Sequence, residues 1–232
     1  MSNLVQTNLI NTNLIQTQVV RIEPITPAKY RDAAKLMAYG FGHKFQKSSS
    51  LSISELASVF EQLLLYEPKQ TGSLRVAALE NDVLLGTMAL KWKASEVIKK
   101  ADATPSKWWR MRRHIGYWKL LRIMAGIQLL KHEPDAGECY IEDIVVHPHH
   151  QGRGVGRQLM AWAQQYKLQT AQLSYLSLHV ASHNQKAMQL YERYHFLKQN
   201  STNSILTGLL LGEHQWNYMT RKGDNYVETA QA

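Results

Sequence analysis

Val146-His147-Pro148-His149-His150-Gln151-Gly152-Arg153-Gly154-Val155-Gly156-Arg157 is the stretch whose reading decides the fold. An apolar run precedes it: Tyr140, Ile141, Ile144, Val145 and Val146. After it, Leu159, Met160, Trp162, Ala163 and Tyr166 recur at helical spacing. The order is therefore strand, glycine-rich turn, helix. Such a turn aims several backbone N–H groups at one point beside a helix N-terminus, which suits a phosphate.

Two familiar phosphate loops do not fit. A dinucleotide loop needs Gly-x-Gly-x-x-Gly and an acidic residue about 20 positions on. Here the glycines alternate at 152, 154 and 156, and Thr170 to Ser174 carries no acid. A Walker loop needs Gly-Lys-Ser/Thr, which the stretch lacks.

Working outward, Val19 to Ile22 reads as a first strand closed by Pro24 and Pro27. Pro27 suits the first turn of a helix carrying Ala33, Ala34, Leu36, Met37 and Phe41. That helix is expected to stop near Gly40 and Gly42, with a mobile polar linker over 44–50. Ser52 or Ser54 then caps a second helix through Leu56, Val59, Phe60, Leu63 and Leu64. Leu74 to Leu79 and Val83 to Leu90 form an antiparallel pair around a turn at Glu80-Asn81-Asp82. Downstream come a strand at Tyr175 to Val180, a helix opened by Asn184, a strand start at Phe196 and a last strand at Gln215 to Thr220.

Three regions stand apart. Residues 3–17 repeat a five-residue unit that matches neither strand nor helix periodicity. The expected division is a flexible tail over 1–18, one domain over 19–222 and a frayed tail over 223–232. Residues 94–137 interrupt the domain with a Trp-, Arg- and Leu-rich segment, expected to be a helical insertion packed on it. A lid, a partner surface and a membrane-surface element are its other readings.

The totals bound the function. Of 232 residues, 44% are hydrophobic, enough for a sizeable core. One cysteine, Cys139, permits no internal disulfide and suits the reducing cytoplasm. No signal peptide or spanning apolar run is legible. A net charge of +9 favours anionic partners, and much of it lies between Lys99 and Lys131.

Two segments carry the chemistry. The first is Tyr140 to Pro148 with Gln151, Gly154 and Gly156; the second runs from Asn184 through Ala187, Leu190 and Tyr191 to Phe196. Together they resemble the GNAT superfamily of acyl-CoA-dependent N-acetyltransferases, most specifically over 139–197. The resemblance implies an α/β fold: a central mixed, V-shaped β-sheet flanked by helices, here with the insertion at about 94–137. It implies acetyl-CoA as co-substrate, its pyrophosphate held by Gln151, Gly152, Arg153, Gly154, Val155, Gly156 and Arg157. Pantetheine would bond the backbone of Ile144 and Val146, and the Val145 or Val146 N–H would polarise the thioester carbonyl. Asn184 would bond the cofactor arm. Tyr191 stands where the family often places the residue that protonates the leaving thiolate.

An amine of ordinary pKa near 10.4 is neutral in only about one molecule in a thousand at pH 7, so something must supply the free base. Glu142 is the candidate base or amine-binding carboxylate. Strand alternation places it on the face of Tyr140 and Ile144, with Asp143 turned away. A structural ion-pair role for Glu142 stays open.

The acceptor is less legible. Ile141-Glu142-Asp143-Ile144 resembles the matching strand of polyamine acetyltransferases, which points to a small amine or polyamine. The basic insertion favours the alternatives: a protein N-terminus, a lysine or an aminoacyl-tRNA. A non-catalytic acyl-CoA-binding module is the reading from another class. Homodimerisation, and contact of the basic 99–131 segment with nucleic acid or a membrane surface, stay open. Histidines 147, 149 and 150 are expected to shape a turn rather than bind metal, since no tetrahedral ligand set is visible. His195 replaces the family's frequent glycine before Phe196, at a position where histidine tolerates a left-handed backbone.

Overall fold

The computed structural model describes residues 20–49, 51–66, 72–94 and 115–222. The expectations for both tails, and for Trp108, Trp109 and most of the basic residues of the insertion, lie outside them. Seven strands form one sheet in the order β1-β2-β3-β4-β5-β7-β6. They are β1 (Arg21–Pro24), β2 (Ser73–Glu80), β3 (Val83–Trp92), β4 (Glu138–Val146), β5 (Tyr175–Ala181), β6 (Leu197–Asn203) and β7 (Gln215–Lys222). Every pairing is antiparallel except β4 with β5.

That parallel pairing is short. It joins Glu138 to Ile141 with Tyr175 to Leu178 and then ends. Beyond it, β4 follows β3 while β5 follows β7. The sheet therefore forks, and the facing edges of β4 and β5 keep backbone groups for something other than each other.

Among the described residues six α-helices cover the two faces: α1 (Tyr30–Ser49), α2 (Ile53–Tyr66), α3 (Tyr117–Leu129), α4 (Val155–Gln169), α5 (Gln185–Arg193) and α6 (Ile205–Leu211). Consecutive residues of a strand face opposite ways. The row Ala78, Gly86, Val146 lies under α4, where a Cβ built on Gly86 would meet Val155 Cγ1 at 3.2 Å. The row Ala77, Thr87, Val145 lies under α1, where a Cβ on Gly40 would meet Val145 Cγ1 at 2.6 Å. Two cores result. One joins the sheet to α4 and α5 through Met88, Ile141, Leu159, Leu178 and Tyr191. The other gathers α1, α2, α3 and α6 around Ala34, Leu56, Phe60, Ile123 and Leu211.

Local signals explain most boundaries. Ser52 Oγ accepts from the Glu55 N–H at 3.2 Å, and the Glu55 carboxylate accepts from the Ser52 N–H at 2.8 Å, a reciprocal cap that starts α2. Asn81 and Asp82 both have positive φ, as the two-residue β2–β3 turn requires. His195 does adopt a left-handed conformation, φ 59, at the end of α5.

Two expectations need correction. α1 does not stop at Gly40 and Gly42 but continues to Ser49, so 44–49 is helix rather than linker. Gly40 is there because a side chain would collide with Val145 of β4. The turn of helix at α6 was not anticipated, although Ser204 caps its start and Gly212 (φ 72) its end. Among the described residues no helix is long and apolar enough to cross a membrane.

Candidate active site

The glycine-rich turn takes the shape its sequence implies. Gly154 is the N-cap of α4, in a left-handed conformation (φ 84, ψ 2) that a β-branched residue would resist. Gly152 is also left-handed (φ 79), and a Cβ there would meet nothing within 4 Å. Gly156 differs, being ordinary helix with room for a Cβ against Leu190. The first N–H groups of α4 have no intrahelical acceptor and carry the positive end of the helix dipole. The Arg157 guanidinium lies over the turn, 3.2 Å from where a Gly154 Cβ would stand. The Arg153 side chain goes elsewhere: it reaches both Glu80 carboxylate oxygens at 3.1 Å and lies 2.8 Å from His150 Nδ1. Only its backbone remains in the turn. Gln151 Nε2 donates to the Val146 carbonyl at 3.3 Å, tying the turn to the strand.

Along β4 the side that faces the fork can be assigned. The His147 N–H donates to Leu85 O, on the β3 side. Alternation then turns the backbone groups of Val146 and Ile144 toward the gap and those of Val145 toward β3. Of the Val145 and Val146 N–H groups, that of Val146 faces the gap.

A bulge in β4 changes the reading of Glu142. Ala89 pairs with Asp143 and Leu90 with Ile141, so Glu142 is an extra residue. Strict alternation placed Glu142 and Ile144 with Tyr140 and turned Asp143 away. The bulge instead puts Asp143 on the face of Tyr140 and moves Ile144 to the α4 face. Asp143 is held by Arg75 of β2, Nη1 to Oδ1 at 2.7 Å and Nη2 to Oδ2 at 2.6 Å. Glu142 is exposed, and it lines the same cavity as Asp143.

That cavity measures about 730 Å³. Its lining joins Tyr191 of the first core to Met37, Phe60 and Met124 of the second, and includes Asn184, Glu142 and His179. Tyr191 is buried, and burial pushes its phenol up to about 12, so it keeps its proton at neutral pH. Asn184 caps α5 through its side-chain oxygen, which accepts from the Ala187 N–H at 3.2 Å.

A second constellation at the fork was missed from sequence. Tyr140 OH lies 3.2 Å from His179 Nδ1. Burial, with neighbouring charges adding to it, raises the Tyr140 phenol, so the hydroxyl is the donor. Burial and nearby His132 push His179 down to about 4, leaving it neutral at pH 7. Beside them, buried Glu138 accepts from Ser177 Oγ, from Tyr218 OH at 2.9 Å and from the Asp135 N–H at 2.8 Å, and His132 Nε2 lies 2.9 Å away. Burial alone would raise the Glu138 carboxyl; the hydrogen bonds from His132, Ser177, Asp135 and Tyr218 outweigh it and hold it at about 2. The members come from the end of the insertion and from β4, β5 and β7, and no local spacing links them. A lone histidine inside Leu176 to Val180 was the available signal.

Among the described residues no group of three or more His, Cys, Asp or Glu could hold a metal ion. The rings of His147 and His149 are 5.3 Å apart and shape the turn after β4.

No curated protein matches the chain. The fold is that of spermidine N-acetyltransferase from Vibrio cholerae in complex with CoA and spermine, at 17% identity and a TM-score of 0.55, covering 88% of this chain and 95% of that one. It is similar to Arabidopsis thaliana NAA60 in complex with a bisubstrate analogue, at 16% identity and a TM-score of 0.54, covering 88% and 98%. An acetyltransferase of the GNAT family from Streptococcus pneumoniae aligns at 15% identity and a TM-score of 0.51, covering 88% and 100%. The family model for the Acetyltransferase (GNAT) family matches residues 49–196, which include the turn, the fork and α5. With well over half of its length matched by that model, the chain belongs to the GNAT family of acetyltransferases.

Proposed function

We propose that this acetyltransferase moves the acetyl group of acetyl-CoA to a primary amine by direct attack on the thioester. The observation that carries the reading is the cavity at the fork. It joins the Asn184–Tyr191 side to the opposite face of the sheet, where Tyr140, Glu142 and His179 stand. A donor and an acceptor can thus approach one point from two sides.

The residues present fit the donor. The left-handed Gly152 and Gly154 and the free N-terminus of α4 suit its pyrophosphate, with Gln151, Val155, Gly156 and Arg157 completing the turn. The unpaired edge of β4 offers Ile144 and Val146 to pantetheine amides, and Asn184 stands on the opposite wall. When bound, acetyl-CoA supplies an activated acyl carbon. Val146 N–H faces the gap and is the group that would stabilise negative charge on its oxygen.

On the acceptor side, Glu142 binds the incoming ammonium. Tyr140 takes a proton from the amine nitrogen as it passes its own to Nδ1 of His179, a ring that burial keeps neutral and only weakly basic. Tyr191, protonated at neutral pH, gives its proton to the departing sulfur. Cys139 takes no part: it is buried, and burial pushes its thiol up to about 12.

The test is direct. The chain is incubated with acetyl-CoA and a broad amine panel, and CoA release and product mass are followed. Acetylated amine, formed only with enzyme and donor together, supports the reading. Donor binding without transfer to any acceptor would leave an acyl-CoA-binding module.

A further inference from the structure

We infer that His132, oriented by the buried carboxylate of Glu138, takes the proton that the acceptor ammonium must lose before it can attack; this rests on the transferase reading above. An alkylamine arrives at neutral pH almost wholly as ammonium. Two of its N–H bonds break on the way to an amide. The second breaks after attack, when bonding to the acyl carbon has made the nitrogen acidic, and the Tyr140–His179 pair serves that step. The first breaks before attack, and His179, pushed down to about 4, is too weak a base to hold that proton. A further acceptor is needed on the same face of the fork.

His132 stands there. It follows α3 at the end of the insertion and lines the cavity together with Tyr140 and His179. Its ring centroid lies 4.4 Å from that of Tyr140 and 5.3 Å from that of His179. Nε2 lies 2.9 Å from Glu138 Oε1. Held at about 2, Glu138 is ionised at neutral pH and can only accept, so Nε2 carries the hydrogen and Nδ1 of the neutral ring keeps its lone pair. Among the described residues none hydrogen-bonds that Nδ1. The Glu138 side chain is fully buried while that of His132 is 25% exposed, so the open part of the ring is the part turned from Glu138. Lys91 Nζ donates to the His132 carbonyl at 2.8 Å and pins the backbone. The ring also faces Tyr218 of β7. Burial raises the phenols of Tyr140 and Tyr218, so both stay neutral and Glu138 is the anion at the ring. A histidine held by a carboxylate at one nitrogen and open at the other has the form of a general base.

In the step, an ammonium N–H bond breaks, its electron pair stays on nitrogen, and the His132 Nδ1 lone pair takes the proton. The nitrogen pair then forms the C–N bond. As the C–S bond breaks, the sulfur keeps that pair and takes the Tyr191 proton. Of the two protons taken from nitrogen, one restores Tyr191 and the other leaves to water.

The experiment uses the full chain with saturating acetyl-CoA and hexylamine, spermidine and an alanine-initiated peptide as acceptors. Wild type, His132→Gln and Glu138→Gln are compared between about pH 6 and 10. At pH 7 His132→Gln should lower kcat/KM for the amine about 100-fold while the KM for acetyl-CoA stays unchanged. The deficit should close as pH approaches the pKa of the amine, because water then supplies the free base. The peptide, with its α-amino pKa of about 7.7–8.0, should lose less than hexylamine. Glu138→Gln should show the same closing deficit, about tenfold at pH 7. A purely structural loss would not follow the ionisation of the acceptor. In the wild-type chain, ¹⁵N-histidine spectra at about pH 9, above the ordinary histidine range, should show His132 protonated at Nε2 and bare at Nδ1. The opposite tautomer overturns the inference whether or not the variants fold. No deficit, or one that stays constant with pH, also overturns it and leaves the transferase standing. Absence of CoA release with every acceptor, in a chain that binds acetyl-CoA, overturns the transferase reading and this inference with it.

Discussion

Arg75 and Asp143 meet across the intervening strand β3 in a two-pronged ion pair, at 2.7 and 2.6 Å, with side chains only 5% and 13% exposed. The pair exists because of the bulge. Were Glu142 paired in regular alternation rather than bulged out, Asp143 would point to the α4 face and Arg75 would lack it. One inserted residue thus sets both the buried pair and the exposed carboxylate at the cavity.

Breaking the pair from one side takes a carboxylate away from a buried guanidinium. Asp143→Asn is expected to destabilise the fold by about 3–5 kcal/mol in urea unfolding. The double replacement Arg75→Met with Asp143→Leu should cost far less, because neither charge then needs compensation. Equal losses in the two variants would show that the pair is not what matters.

Glu138 gives the protein an acid-sensitive point. Its folded pKa, about 2, lies below the ordinary 4.5, so its contribution is complete above pH 4.5 and is lost as pH falls toward 2. The shift corresponds to something on the order of 3 kcal/mol. Glu138→Gln should flatten the loss of stability between pH 5 and 2 in thermal melts (~ a pH window set by those two values). A variant as acid-sensitive as the wild type would remove Glu138 from this role.

Tyr191→Phe should lower kcat by about 100-fold while acetyl-CoA affinity stays close to that of the wild type. The ring remains to pack against Phe196, 6.0 Å away between centroids, so the fold is preserved. Unchanged turnover would reduce Tyr191 to a packing residue.

Gly154→Val should lose acetyl-CoA binding in calorimetry while the protein stays folded. The left-handed N-cap costs a non-glycine residue about 1–2 kcal/mol, and valine also intrudes where the pyrophosphate would lie. Wild-type affinity in this variant would count heavily against the turn as the phosphate cradle.

Tyr140→Phe and His179→Gln should each lower kcat by about 100-fold, and the double variant should be scarcely worse than either alone. Two residues acting through one hydrogen bond give this non-additive result. Fully additive losses would mean that the two do not act as a unit.

Where the sequence was legible, the signal was local. Residues 151–157 declare a strand–turn–helix because alternating glycines, a preceding apolar run and a following helical pattern all lie within one stretch. Asn184 as a cap, Asn81-Asp82 as a hairpin turn and His195 as a left-handed helix end are likewise decided by neighbours along the chain. The pattern at 184–196 then narrowed a general phosphate turn to one family.

What tertiary structure alone decided needed residues far apart in the chain. Gly40 read as a helix stop; only its approach to Val145 shows it as a packing position inside α1. The bulge at Glu142 is a property of register between β3 and β4, invisible in either strand by itself. Tyr140 and His179 are 39 residues apart and become partners only where β4 and β5 end their pairing. A turn is fixed by the backbone conformations of adjacent residues, and the sequence by itself determined that much. Which side chains share a face across a fork depends on where ladders begin, slip and stop, and packing settles that between strands.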